Sequence, residues 1–127
     1  MNVVLWILQV LLGVFFAWHS TVLLRPSPAL RARGMGWVLD MSSGLRTFAG
    51  AAEGLAGLAL IFAPLAGLVV KPVAWLAPLA AAGLVALMVG AIVFHLPRRE
   101  YPNIGLNAVL GVLAAVIAVG RFGPYHF

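Results

Sequence analysis

Four apolar runs, each of about twenty residues, take up most of this 127-residue chain. A helix needs about 20 apolar residues to cross the hydrocarbon core of a bilayer, so each run predicts one membrane-spanning helix. The predicted spans are residues 2–24, 45–63, 72–96 and 102–121. The sequence therefore predicts an all-α, polytopic membrane protein: one domain formed by a bundle of four transmembrane helices.

The composition argues against a water-soluble fold. Hydrophobic residues make up 64% of the chain and charged residues 9%, whereas soluble domains carry about 25% charged residues. The formal net charge of +5 could suggest nucleic acid as a partner, but the basic residues lie between the apolar runs and form no continuous basic face. We expect membrane lipids to surround the protein and expect no nucleic-acid partner.

Small residues recur every three or four positions on two of the predicted spans. The second span carries Gly50, Gly54 and Gly57, and the third carries Ala82, Ala86 and Gly90. Small residues at this spacing let helix backbones approach closely. We expect both faces to pack against neighbouring helices, either within one chain or in a homo-oligomer.

The basic residues are distributed unequally between the two ends of the bundle. One end holds Lys71 and Arg121. The other end, with the first and third connections, holds six: Arg25, Arg31, Arg33, Arg46, Arg98 and Arg99. By the positive-inside rule we expect connections 25–44 and 97–101 in the cytoplasm and both termini outside. We expect the middle of the first connection to lie in the interface, with Met35, Trp37 and Leu39 turned toward lipid.

Glu53 is the only acidic residue inside an apolar run. It lies about 12 Å along the helix from Leu45, at a depth where a carboxylate costs on the order of 3 kcal/mol and usually marks a functional path. Arg46 precedes it by seven residues on nearly the same face, but the two side chains could meet only at full stretch. We expect a bridging water or a group from another helix, such as His95, to be the partner of Glu53.

Other polar residues are predicted at the same end of the bundle. His19 lies about 8 Å before the end of its helix, His95 lies at the end of the third span, and Asn103 and Asn107 occupy the first two turns of the fourth. The predicted ligand-binding residues are Arg46, Glu53, His95, His19, Asn103 and Asn107. Glu53 and His95 are the candidate catalytic residues and would handle protons. The alternative for all of them is structural: hydrogen bonds between helices, or positions in the interface.

Cofactor chemistry is restricted by the absence of cysteine. Thiolate-bound zinc, cysteine-ligated iron–sulfur clusters and thiol relays are excluded, so redox chemistry would need a borrowed cofactor or a diffusible carrier. His19 and His95 come from different helices at similar depth and could in principle ligate haem, but their spacing is not diagnostic. We expect neither haem nor a metal site built from Glu53 and His95.

Three segments resemble a known family. They are the stretch Gly50-Ala-Ala-Glu-Gly-Leu-Ala-Gly-Leu, the end of the third span at Gly90–His95 before Arg98-Arg99-Glu100, and the fourth span from Asn107 to Phe122. With four short spans, the chain resembles the DoxX-like family of small bacterial membrane proteins. The resemblance implies a four-helix bundle in the bacterial inner membrane. Relatives include subunits of a thiosulfate:quinone oxidoreductase, proteins associated with oxidative-stress complexes, and membrane assembly factors.

Three functional hypotheses follow. The first is an accessory subunit that binds a quinone or another lipophilic molecule in a polar-lined cavity, next to a partner subunit of a redox enzyme. The second is a scaffold or assembly factor without chemistry, in which the polar cluster fixes helix packing. A small-solute transporter is the third, although the chain lacks the repeated halves common in secondary transporters. No substrate-oxidising motif is visible, so whether the chain is itself an enzyme stays open.

Overall fold

The structure, a computed structural model that covers residues 1–127, contains only helices and their connections. The α-helices are α1 (Asn2–Leu24), α2 (Gly36–Asp40), α3 (Ser43–Ala66), α4 (Leu76–His95) and α5 (Tyr101–Phe122). Four segments are long and apolar enough to cross a membrane, namely α1, α3, α5 and the stretch Lys71–His95 that contains α4. The all-α, four-span architecture predicted from the sequence is confirmed.

The helix bounds differ from the predicted spans at α3 and α4. Ser42 caps α3, and its hydroxyl oxygen accepts a hydrogen bond from the Leu45 backbone N–H at 3.3 Å, so the helix begins at the following residue, Ser43. At its other end α3 continues through Pro64. The third span opens with a 3-10 turn at Lys71–Trp75, and regular α-helix starts only at Leu76.

Pro64 of α3 affects the contact between α3 and α1. Proline has no backbone N–H, so the carbonyl of Leu60, four residues earlier, has no donor within α3. The side-chain amide of Gln9 on α1 donates to this Leu60 oxygen at 2.9 Å, and Gln9 is fully buried. The Gln9 side chain of α1 thus supplies the hydrogen bond that Pro64 removes from α3.

Glycines hold α1 and α3 close together. A Cβ atom added at Gly57 would lie 2.8 Å from the carbonyl oxygen of Gly13, and one added at Gly54 would lie 2.9 Å from the Ser20 hydroxyl. A Cβ added at Gly50 would likewise lie within 3.1 Å of the side chains of Leu23 and Leu24. The close approach predicted for the glycine face of the second span is confirmed, and its neighbour is α1.

The spanning helices share a buried core and carry an apolar outer surface. The largest buried cluster brings together all four spanning helices: Leu12, Phe16, Leu60, Ala81, Leu84, Met88, Leu110, Ala114, Ile117 and Ala118. Facing outward are large apolar side chains such as Leu11, Leu55 and Val119, which are 62%, 71% and 72% exposed. An exterior of this kind suits lipid and not water. The chain is a multi-pass membrane protein.

The first connection folds back onto the bundle. A 3-10 turn at Pro28–Arg33 ends at Gly34, whose φ of 73° lies in the left-handed region that glycine adopts readily. α2 follows, and its Val38 is fully buried in a small cluster with Leu23, Leu30 and Trp37. The expectation that Trp37 turns toward lipid is therefore wrong. Burial of this apolar cluster holds the first connection against the bundle.

Candidate functional site

A cavity of about 800 Å³ lies in the half of the bundle next to the first and third connections. All four spanning helices and the first connection contribute to its wall, and 20 of its 27 lining residues are hydrophobic. This volume falls within the range of ligand sites, about 300–1,000 Å³. The polar residues on its wall are few: His19, Glu53, His95, Asn103 and Asn107.

His19 and Glu53 form a buried pair in this wall. The Nδ1 atom of His19 lies 2.6 Å from the Glu53 Oε2 atom, and the side chains are 14% and 7% exposed. The close packing of α1 on α3 brings the two residues together, because His19 precedes Ser20 and Glu53 precedes Gly54 at one of the glycine contacts. The group from another helix that meets Glu53 is therefore His19 and not His95. An imidazole and a carboxyl group are side chains that general acid–base chemistry commonly uses.

His95 has a carboxylate partner of its own. Its Nδ1 atom lies 2.9 Å from the Oε1 atom of Glu100, and its side chain is 2% exposed. Glu100 comes five residues later, in the connection to α5. The structure thus contains two histidine–carboxylate pairs, and each leaves the Nε2 atom of its imidazole free of protein hydrogen bonds.

Ion pairs tie the two connections together beside His95. Arg98 donates to Glu100 at 2.7 Å and to Asp40 at 2.8 Å, and Arg31 donates to the second Asp40 oxygen at 2.9 Å. We call the resulting series Arg31–Asp40–Arg98–Glu100–His95 the ion-pair chain. It links the first connection to the third across 58 residues of sequence. Arg98, which the charge distribution placed among the basic residues that set the topology, therefore also joins the two connections.

The ion-pair chain shifts the acidity of its carboxyl groups. Hydrogen bonds from Arg98 and Arg31 hold the pKa of Asp40 below its ordinary value of 3.8. Burial raises the pKa of Glu100, but the hydrogen bonds from Arg98 and His95 outweigh burial and bring the pKa below its ordinary value of 4.5. Both groups are therefore charged at neutral pH.

Trp37 lies against both histidines. Its ring centroid is 6.0 Å from that of His19 in a stacked arrangement and 4.8 Å from that of His95 in an edge-on arrangement. Its indole Nε1 atom is buried and has no hydrogen-bond partner in the protein. Trp37 also lines the cavity. It is a site residue that the sequence analysis missed, although the apolar pair Trp37–Val38 beside Leu30 was a signal for burial.

The other predicted site residues divide into two groups. Asn103 and Asn107 line the cavity, and their side chains form no hydrogen bond within the protein, so they are available to a ligand. Arg46 is half-buried and lies outside the cavity wall. It forms no ion pair with Glu53. The structure thus brings together five of the six predicted residues and leaves Arg46 apart.

Metal and haem chemistry gain no support from this arrangement. No group of three or more histidine, aspartate or glutamate side chains converges in a way that could hold a metal ion. His19 and His95 do not face each other as a free pair, because the Trp37 indole contacts both imidazole rings.

The chain matches the family model described as the DoxX-like family over residues 7–117. This range includes both histidine–carboxylate pairs, Trp37 and the two asparagines. No curated protein and no solved structure matches the chain. The match covers most of the chain and shows the family.

Proposed function

The chain belongs to the DoxX-like family, and on that premise we propose that it binds a lipophilic small molecule, specifically a quinone, in the cavity beside Glu53. The observation that carries the proposal is the buried His19–Glu53 pair in the wall of an otherwise apolar cavity of about 800 Å³. Such a cavity accommodates an apolar ring and tail, and a few polar groups fix their orientation.

Small residues leave the space that the ligand would fill. Gly83 and Gly90 of α4 both line the cavity, and a Cβ atom added at either would meet no other atom within 4 Å. Both glycines are exposed, so the cavity is open beside this face of α4. Because these two positions have no side chain, they leave a flat surface on which a planar ring can lie.

Hydrogen-bond donors are available for the carbonyl oxygens of a quinone. The Trp37 Nε1–H is buried without an acceptor, which costs on the order of 1–3 kcal/mol, and a rotation of the indole toward the cavity that it lines would let a ligand oxygen accept from it. The side-chain amides of Asn103 and Asn107 add donors from α5. A quinone presents two carbonyl oxygens on opposite sides of its ring, which suits donors on different elements.

The two histidine–carboxylate pairs suit the proton balance of quinone reduction. A quinone takes up two electrons and two protons to become a quinol. The His19–Glu53 pair would deliver one proton and the His95–Glu100 pair the second, and both would be reprotonated from the side of the connections. A partner redox subunit supplies the electrons, so the chain acts as the accessory quinone-binding subunit.

We further propose the bacterial inner membrane as the location. With the first and third connections in the cytoplasm and the termini outside, the six arginines at that end obey the positive-inside rule. The cavity then lies in the cytoplasmic half of the bundle, within reach of a soluble or peripheral electron donor.

Filling the cavity tests the proposal. Gly90→Leu adds a side chain to the empty space, whereas Gly105→Leu adds the same side chain at an exposed α5 glycine with equally open surroundings outside the cavity. Quinone retained by the purified protein is measured by mass spectrometry, and saturable binding by quenching of tryptophan fluorescence. We expect Gly90→Leu to lose binding and Gly105→Leu to keep it.

The same experiment separates the proposal from the scaffold hypothesis. If the unaltered protein retains no quinone and shows no saturable binding, or if both leucine variants bind equally well, the proposal is wrong. A bundle that never holds a ligand, but loses stability and partner recovery when Glu53 is replaced, would be the scaffold.

A further inference from the structure

Arg121 is buried at the end of the bundle opposite the quinone cavity. Its exposed fraction is 1%, and it lies about 30 Å along α5 from Tyr101, where the helix begins near the connections. Three of the five N–H groups of its guanidinium have acceptors. The Nε atom donates to Gln9 Oε1 at 2.6 Å, and Nη1 donates to Asn2 Oδ1 and to the Tyr125 carbonyl oxygen, the latter at 2.9 Å.

All three acceptors are neutral, and one nitrogen has none. The Nη2 atom of Arg121 is buried and has no hydrogen-bond partner. The chain has only three acidic residues, and Asp40, Glu53 and Glu100 all lie at the opposite end of the bundle. No salt bridge includes Arg121. A buried cation normally has an anionic partner, because burying an uncompensated charge is expensive.

The surroundings hold the guanidinium in place without neutralising it. Gln9 donates its amide N–H to the Leu60 carbonyl that Pro64 leaves unpaired, so the amide oxygen is fixed toward Arg121. The Phe127 ring lies 4.1 Å from the guanidinium carbon, and the Trp6 ring lies 5.6 Å away. These cation–π contacts offset part of the cost of burial. The charge itself remains.

A second cavity, of about 780 Å³, lies against Arg121. It shares no lining residue with the quinone cavity. Lys71 and His126 also line it, together with the aromatic rings of Trp6, Trp75 and Phe127. No acidic side chain lines it. Two cationic side chains, one with a free donor nitrogen, thus meet a belt of aromatic rings of the kind that lies at lipid head-group level.

We propose that this second cavity binds an oxyanion, a phosphate or carboxylate group, which pairs with Arg121 and Lys71. The unpartnered Nη2 of Arg121 can donate to an oxygen of such a group, and Lys71 supplies a second, mobile positive charge. The oxyanion can be the head group of an anionic lipid or a free ion. This inference does not depend on the quinone site, because the two cavities lie at opposite ends of the bundle.

Native mass spectrometry of the detergent-solubilised protein tests the inference. The probes are phosphatidylglycerol, phosphatidylcholine with matched acyl chains, and inorganic phosphate at constant ionic strength. We expect phosphatidylglycerol to bind about tenfold or more tightly than phosphatidylcholine, as a charge-assisted pair requires. Arg121→Gln and Lys71→Gln should each weaken this preference. Arg99→Gln removes the same charge from an exposed arginine at the opposite end and should leave the preference unchanged.

The phosphate arm distinguishes the two sources of the oxyanion. If inorganic phosphate competes with phosphatidylglycerol, and this competition is lost in Arg121→Gln, the cavity binds a free ion. If phosphatidylglycerol is preferred over phosphatidylcholine but phosphate does not compete, the cavity binds a lipid head group. Equal binding of the two lipids with no phosphate binding overturns the inference, and so does an equal loss in Arg99→Gln. If Arg121→Gln does not fold, the exposed Lys71 and the comparison of head groups in the unaltered protein still decide the question.

Discussion

The contact between Gly13 and Gly57 sets the separation of α1 and α3, and Gly57→Ala tests it directly. An added Cβ at Gly57 would lie 2.8 Å from the Gly13 carbonyl oxygen and 3.0 Å from the Ala17 backbone nitrogen, whereas ordinary contacts lie at 3.4–4 Å. Both neighbours are backbone atoms, so no side-chain rotation relieves the overlap. The two helices must move apart by several tenths of an ångström.

The expected loss combines two opposing effects. Overpacking of a close contact costs about 1–3 kcal/mol. Replacing a helical glycine by alanine gains about 0.5–1 kcal/mol through backbone entropy. The matched control is Gly105→Ala, which makes the same replacement on α5 with no atom within 4 Å. We expect Gly57→Ala to be less stable than the unaltered protein and Gly105→Ala to be equally or more stable, so their difference isolates the steric cost.

Reversible unfolding in mixed micelles, followed by circular dichroism, measures the free energy of unfolding of both variants. The same separation should also lengthen the 2.6 Å contact of His19 with Glu53, because these residues lie on the two helices beside the glycine contact. We therefore expect weaker quinone binding in Gly57→Ala than in Gly105→Ala. If the two variants unfold with equal free energy, helix separation is not set at Gly57 and the packing argument is wrong.

Three further predictions concern buried polar groups and the ion-pair chain. Gln9→Leu leaves the Nε–H of Arg121 without its acceptor and the Leu60 carbonyl oxygen of α3 without its donor. It should lower the free energy of unfolding by about 2 kcal/mol or more. An unchanged value in the same unfolding assay would contradict this. Glu53→Gln keeps a hydrogen-bonding side chain and should fold, but it should abolish quinone-linked turnover with the partner subunit; normal turnover would reject the proton role. Because the pKa values of Asp40 and Glu100 are lowered, their pairs stabilise fully above the ordinary values of 3.8 and 4.5 and are lost as the pH falls through the lower folded-state values. Hydrogen exchange of the first connection should therefore be constant from pH 7 to pH 5 and rise in stronger acid, and a rise already near pH 6 would refute this assignment.

Much of the fold could be predicted because the bilayer imposes simple requirements. Span length and apolar composition give four helices, and the spacing of Gly50, Gly54 and Gly57 gives a close helix contact. The spacing does not identify the neighbour. On α4 the same pattern predicted a helix contact at Gly90, but Gly90 borders a cavity and packs against no neighbouring residue. A small-residue face indicates room beside a helix, but either a helix or a ligand can fill it.

The partners within the site were harder to predict. The rise per residue gives the depth of His19 and His95, but their depths are similar and the rotation of each helix about its axis is not encoded in spacing alone. Spacing could therefore predict a partner for Glu53 from another helix, with His95 as the example, but it could not identify His19. The contact of Asp40 with Arg98 joins residues 58 apart and depends on how the first connection folds. Burial of Trp37 depends on the same fold.

Photoaffinity labelling is the most direct test of the central claim that the cavity beside Glu53 holds a quinone. A quinone carrying a diazirine near its ring is irradiated with the protein in lipid nanodiscs, and the labelled peptides are mapped by mass spectrometry. Fragmentation of these peptides assigns each label to a residue, and our account predicts labels on cavity residues such as Glu53 and Phe94 that excess unlabelled quinone removes. Labels confined to outward-facing residues such as Leu55 and Val93, and insensitive to competitor, would contradict it.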